Sequence, residues 1–217
     1  MEAFADLDKN ETFFVLTGDI AGYTKIAPAY RESLMLGLDR LIKSFPEAKD
    51  AQTFRGDSFQ ILFADPLAAL MRSIQIRCWL KKNRIAGNKM LDARIAVGAG
   101  TIDFFGKDIL ISDGEALQLS GRALDSMKGE EFLKVVCPHK NLNEFFEVIC
   151  IVMEGRISRW TPSQAAVIFG VLEGKTQQRL ANEHGVVQSA ITNRLKLAYW
   201  KDFERTLRYI AARMMEM

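Results

Sequence analysis

The chain has 217 residues, 48% hydrophobic and 26% charged, with a net charge of +2. That is the mix of a soluble globular protein, enough for one large domain or for one domain plus a small one. Several features argue against a secreted or membrane protein. Three cysteines (Cys78, Cys137, Cys150) have neither close pairing nor metal-ligand spacing; an odd, sparse set fits a reducing cytoplasm better than a disulfide framework. The N-terminal "MEAFADLDKNETFF" lacks the basic and apolar regions of a signal peptide. Apolar runs such as "FFEVICIVM" are far too short to span a bilayer. The expected location is cytoplasmic, without a membrane partner.

The net charge hides an asymmetry. Residues 155–217 hold ten Lys/Arg against five Asp/Glu, a balance of +5, which leaves −3 for residues 1–154. A basic segment on an acidic body suggests two jobs, the second with an anionic partner.

Along the chain, "FFVLTGDI" (13–20) reads as a strand. "AYRESLMLGLDRLIKSF" (29–45) carries Leu34, Leu38, Leu41, Ile42 and Phe45 at helical spacing and stops at Pro46. "AQTFR" and "SFQILFA" read as two strands around Gly56-Asp57. Pro66 opens a second helix, "PLAALMRSIQIRCWLKKN", and "LDARIAVGAG" (91–100) is a fourth strand. The order β-α-β-β-α-β predicts an α+β fold of the split βαβ, ferredoxin-like type. A strand "DILIS" (108–112), a helix from about Asp113 to Met127 and a strand "FLKVVC" are expected next.

From about Asn143 only helical patterns appear. They place the domains at 1–142 and 143–217. "LNEFFEVICIVMEGRI" reads as a connecting helix. "TPSQAAVIFGVLEG" begins with Thr161 as N-cap and Pro162 at the first helical position, and closes at Gly174. "TQQRLANEHG" is a short helix ended by Gly185, and "QSAITNRLKLAYW" follows after a turn of about three residues.

Two places carry chemistry. In a βαββαβ sheet the first strand lies beside the hairpin, so Asp19 at the strand's end and Asp57 at the hairpin tip approach at one edge. Both fit the reading of plain turn residues. Two carboxylates plus a substrate's phosphates are also what Mg²⁺ or Mn²⁺ needs.

Here the sequence resembles the class III nucleotide cyclase domain. "LTGDIAGYT" (16–24) is similar to that family's first metal motif, and "RGDSFQILF" to its Gly-Asp hairpin. "ARIAVGAGTI" resembles its central strand. "GEALQLSGR" (114–122) has the spacing of the helix that carries the family's transition-state Asn and Arg. The resemblance spans about residues 12–137. It implies that Asp19 and Asp57 hold metal, that Arg122 faces the polyphosphate of a nucleoside triphosphate, and that the backbone of Ile20, Ala21 and Gly22 cradles phosphate. It also implies a dimer, because such sites form between two subunits. The chain departs from the pattern at three positions. Gln118 stands for the Asn, and the two base-reading positions hold Thr53 and Ile111. The metal half is kept and the base-recognition half is not, so cyclic AMP synthesis is not expected and enzyme activity stays open. Together "TGDI", "RGDSFQ", "DARIAVGAG" and "SDGEALQLSGRALDSMK" resemble the bacterial SatD family, which implies a cyclase-like domain joined to a C-terminal helix-turn-helix.

The second place is residues 161–199, which read as a helix-turn-helix. Ala181 is small where two helices meet, Gly185 makes the turn, and Val187, Ile191 and Leu195 form a buried face. Gln188, Ser189, Thr192, Asn193 and Lys196 face outward, where Gln and Asn suit adenine edges. Lys175, Arg179, Arg194 and Lys201 are candidate phosphate contacts. A bundle for dimerisation or packing is the alternative reading of the same helices. Leu207, Ile210 and Met214 form an apolar stripe on the last helix, either a dimer seam or a packing face. The expectation is a DNA-binding regulator, acting as a homodimer on double-stranded DNA, with a metal- or nucleotide-sensing domain. A metal-dependent nucleotidyl cyclase or transferase, and a dead cyclase fold that only dimerises, remain alternatives.

Overall fold

A computed structural model describes residues 4, 7–8, 11–83 and 90–217. The chain order is β1 (Phe13–Ile20), α1 (Pro28–Lys43), β2 (Ala48–Phe54), β3 (Ser58–Phe63), α2 (Pro66–Lys82), β4 (Ala93–Gly100), α3 (Glu115–Ser126), β5 (Leu133–Val136) and α4 (Lys140–Ile157). Four further helices complete it: α5 (Pro162–Leu172), α6 (Gln177–His184), α7 (Gln188–Leu197) and α8 (Trp200–Met214). The protein is α+β, with a mixed five-stranded sheet in the order β2-β3-β1-β4-β5. The first four strands pair antiparallel, and β5 adds parallel to β4.

The two-residue period of the strands builds two different faces. Phe14, Leu16, Phe59, Ile61, Phe63, Ile95, Val97 and Ala99 belong to the large core with α1 and α2. The opposite face carries Phe13, Val15, Thr17 and Asp19 on β1, and α3 lies across it. Gly98 makes that close approach possible: a Cβ there would lie 2.5 Å from the Ala116 carbonyl oxygen and 2.6 Å from the Ser120 amide nitrogen. Beneath α3, the Thr17 and Ser120 hydroxyls are 2.8 Å apart and Gln60 donates to Thr17 at 3.1 Å.

The large core does not stop at residue 142. It continues through Phe146, Ile157, Trp160, Ile168, Trp200, Phe203 and Leu207. Helix α2 is the common support, with α5 and α8 packed on it. Trp160 donates from its indole to the Ala198 carbonyl at 3.1 Å and packs its ring on Trp200 and Phe203. Helix α4 is held by a buried charge network. Arg77, fully buried on α2, makes paired hydrogen bonds to Asp92 (both 2.8 Å) and to Glu154 on α4 (both 2.7 Å), and Lys81 reaches Asp92 at 2.8 Å.

One expectation is corrected and one alternative is decided. "DILIS" is not a strand. Ile109–Ile111 form one 3₁₀ turn, because Asp108 caps the Leu110 amide and Asp50 from β2 takes the Ile109 amide at 2.7 Å. Leu207, Ile210 and Met214 are buried within the same chain, so that stripe packs α8 inward and is not a dimer seam. Among the described residues no helix is long and apolar enough to cross a membrane.

Candidate functional site

Asp19 is the seventh residue of β1 and projects from the α3 side of the sheet. The register sets it opposite Ser58 on β3 and Arg94 on β4. The hairpin tip is Arg55-Gly56-Asp57, with Arg55 at φ 50° and Gly56 at φ 83°. Positive φ is ordinary for Gly and costs a non-Gly residue about 1–2 kcal/mol. The tip is tied to β1 by the Ile20 amide, which donates to the Asp57 carbonyl at 3.1 Å. Asp19 and Asp57 are thus at one edge of the sheet.

Across β1 from the hairpin stands a residue the sequence reading missed. Arg94 grips Asp19 with two parallel hydrogen bonds, Nε to Oδ1 at 2.9 Å and Nη2 to Oδ2 at 2.5 Å. The bond to Asp19 chiefly, with the charges of Asp19, Asp57 and Asp125, holds the guanidinium pKa above its ordinary value. A fork on a carboxylate is the strong form of ion pair. Each oxygen of Asp19 accepts one of these hydrogen bonds, so a divalent ion at Asp19 would compete with the Arg94 guanidinium. Among the described residues no group of three or more His, Cys, Asp or Glu could hold a metal by protein ligands alone. The signal for Arg94 was present in "DARIAVGAG", once β4 is registered against β1.

The amides expected to cradle phosphate are partly committed. Ile20 donates to Asp57 and Ala21 to the Asp92 carbonyl at 2.9 Å, so neither amide is available to a phosphate. Gly22, at φ 69°, opens a short 3₁₀ turn, and α1 begins only at Pro28. Gln118 and Arg122 lie on the outer face of α3, away from Ala116 and Ser120, which pack on the sheet. Arg122 donates to Gln118 at 2.9 Å, and Gln118 to Asp113 at 3.3 Å. Among the described residues no hydrogen bond or ion pair links them to Asp19 or Asp57. Thr53 donates to Asp39 at 3.0 Å, and Ile111 is exposed.

In the C-terminal helices, Thr161 and Gln164 form a reciprocal capping box that starts α5. Helices α6 and α7 are joined through Gly185, left-handed at φ 62°, which closes α6. Val167, Leu180, Ala181 and Ile191 make a small core between α5, α6 and α7, with Val186 and Leu195 against it. Val187 does not join that face. It is the N-cap of α7 and is 70% exposed, and Val186 takes the inward place. Gln188, Ser189, Thr192, Asn193 and Lys196 all lie on the exposed surface of α7. Thr192 donates to Gln177 at 2.8 Å and braces α7 on α6. Lys175 is paired with Glu173 (3.1 Å) and Glu183 (2.9 Å), and Arg179 with Glu183 (3.0 Å).

No protein-family model matches the chain, and no curated protein matches it. Solved structures do resemble it. One is the guanylyl cyclase domain of a fusion protein from the aquatic fungus Blastocladiella emersonii, 16% identical, with a TM-score of 0.43 over 54% of this chain and 75% of that one. A second is the guanylate cyclase domain from Catenaria anguillulae in complex with GTP, 18% identical, TM-score 0.41, covering 54% and 74%. A third is an adenylate cyclase from Trypanosoma brucei in its monomeric state, 13% identical, TM-score 0.47, covering 64% and 78%.

Proposed function

We propose that this chain is a double-stranded-DNA-binding regulator. Residues 143–217 form its reading half, with a helix-turn-helix at about 161–199. Residues 1–142 form a ferredoxin-like, cyclase-related half. The observation that carries the reading is the outward face of α7: Gln188, Ser189, Asn193 and Lys196 stand exposed at its surface, while Ile191 anchors the helix from behind. Polar amides and hydroxyls near a helix N-terminus suit the donor and acceptor pattern of a major groove. The +5 balance of residues 155–217 supplies attraction to phosphate. Because Glu173 and Glu183 offset Lys175 and Arg179, the phosphate contacts fall to Arg194, Lys196 and Lys201.

The test is fluorescence anisotropy on a duplex selected from a random pool, titrated against salt. Asn193→Ala should weaken binding to the selected duplex by about 5- to 150-fold and leave non-specific binding unchanged, the range for one bidentate base contact. Lys196→Ala should reduce the salt slope by about one. Wild-type affinity and slope in both variants would dismiss α7 as the reader.

A second reading, a divalent-metal nucleoside triphosphate site, is favoured by the approach of Asp19 and Asp57 at one edge. It requires Arg94 to leave Asp19. Arg94→Gln should then create Mn²⁺-dependent thermal stabilisation by a nucleoside triphosphate, and adding Asp57→Asn should abolish it. No metal-dependent shift in Arg94→Gln would remove this reading.

A further inference from the structure

Helix α4 has two apolar faces, and among the described residues only one is packed. Phe146, Cys150, Met153 and Ile157 are buried against the body of the protein. On the opposite side, Val148, Ile151, Val152 and Gly155 recur at i, i+3, i+4 and i+7. The three apolar side chains are 62%, 63% and 68% exposed. A solvent-facing helix side normally carries polar residues, and contiguous exposed apolar side chains mark an interaction surface.

The charges around this stripe single out the occupant. Its N-terminal end carries exposed Glu144 and Glu147, and its C-terminal end exposed Arg156 and Arg159, with Arg156 also lying over the Tyr199 ring at 4.2 Å. Glu144 and Arg159, Glu147 and Arg156, and Val148 and Gly155 all share one midpoint, between Ile151 and Val152. A second α4 laid antiparallel about that point meets an unlike charge at each end. Gly155 admits Val148 of the other helix, and the bulkiest side chains fall at the centre. A parallel pairing would oppose like charges at both ends. An isologous contact requires this kind of self-complementarity.

We propose that α4 is the seam of a homodimer, packed antiparallel against α4 of a second copy, with Glu144 of each chain facing Arg159 of the other. The seam stands whether or not α7 reads DNA. The helical face from Glu144 to Ile157 is about 21 Å long for 14 residues, with Arg159 just past its end, and is smaller than a standard interface, so the dimer is a dissociating one.

The test is sedimentation equilibrium of the full chain, without DNA, across the micromolar range. The wild type should show a monomer–dimer equilibrium. Ile151→Asp should raise the dissociation constant at least about thirtyfold, as for an interface hot spot. Glu144→Arg and Arg159→Glu change only exposed ends, so they serve even if Ile151→Asp folds poorly. Each alone should be monomeric, and mixing the two should restore a dimer containing one chain of each. Ile151→Cys should cross-link across the two-fold, on a background in which Cys78, Cys137 and Cys150 are all buried. A wild type that stays monomeric at every concentration would overturn the proposal. So would a dimer indifferent to Ile151→Asp, or one that the mixed charge variants fail to restore.

Discussion

Replacing Arg77 with methionine removes the centre of the buried charge network and nearly keeps the volume of the side chain. The Arg77 side chain has no exposed surface, and Asp92 and Glu154 are each 13% exposed. The variant leaves Glu154 without its partner, while Asp92 keeps Lys81 at 2.8 Å. Breaking a buried pair from one side costs about 3–5 kcal/mol. The surviving Lys81–Asp92 bond argues for the lower figure, about 3 kcal/mol. For a chain of this length that is a fall of about 6–12 °C in Tm. Acid supplies a second reading of the same network. Burial pushes the Asp92 carboxyl up, but Arg77 first and Lys81 after it outweigh burial and hold the pKa below its ordinary value. In the wild type this carboxylate therefore contributes stability above about pH 4, lost as pH falls through the lower folded value. In Arg77→Met the part of this contribution that Arg77 supplies is absent, so the gap between the two proteins should narrow as pH drops from about 4 through the lower folded value. Urea unfolding followed by circular dichroism at several pH values measures it. A loss below about 1 kcal/mol, or a gap that does not change with pH, would refute the claim that α4 is anchored through Arg77.

Ile191→Ala should cost about 2–5 kcal/mol through the cavity it leaves among α5, α6 and α7, whereas Val187→Ala should change stability by less than about 0.5 kcal/mol. Equal effects in thermal denaturation would contradict the assignment of Val187 to the exposed N-cap. Gly98→Ala should destabilise by about 1–3 kcal/mol, because the new methyl meets α3 backbone rather than a side chain that can turn away. A neutral result would mean that α3 does not lie as close to β4 as the structure has it. Glu183→Gln frees Lys175 and Arg179 from their shared carboxylate and should tighten non-specific DNA binding at low salt. Unchanged affinity in the same anisotropy assay would leave those two cations outside the DNA-facing surface.

What could be read directly was local. Proline at the start of α2 and α5, the Thr161 cap, and Gly185 at the end of α6 each act within a few residues. The failures were long-range. Asp50 and Ile109 are 59 positions apart, and their bond turns "DILIS" away from the sheet. Arg77 looks like any cation on a helix until Asp92 and Glu154 arrive from two other segments. Arg94 was hidden for a related reason: its partner is fixed by the β1–β4 register, and an Asp that appears ready for a metal carries its counter-ion 75 positions away. Val187 failed by one residue, because a helix that begins at Gln188 makes Val187 its cap. The outer stripe of α4 was legible as apolar sequence, but only the burial of the other side separates surplus from core.

The shared core on α2 has a consequence for how this protein could be divided or recombined. Helix α2 has buried residues on nearly every side, with the sheet and α1 on one flank and α5 and α8 on the other. A fragment cut near residue 142 would expose the flank on which Phe169 and Leu207 rest, so the front half would be expected to aggregate rather than to persist as a free unit. The C-terminal helices cannot be exchanged as a block by joining ends at a linker. Any substitute would have to arrive with its own complement to α2, which ties the history of the two halves together more closely than their order in the chain suggests.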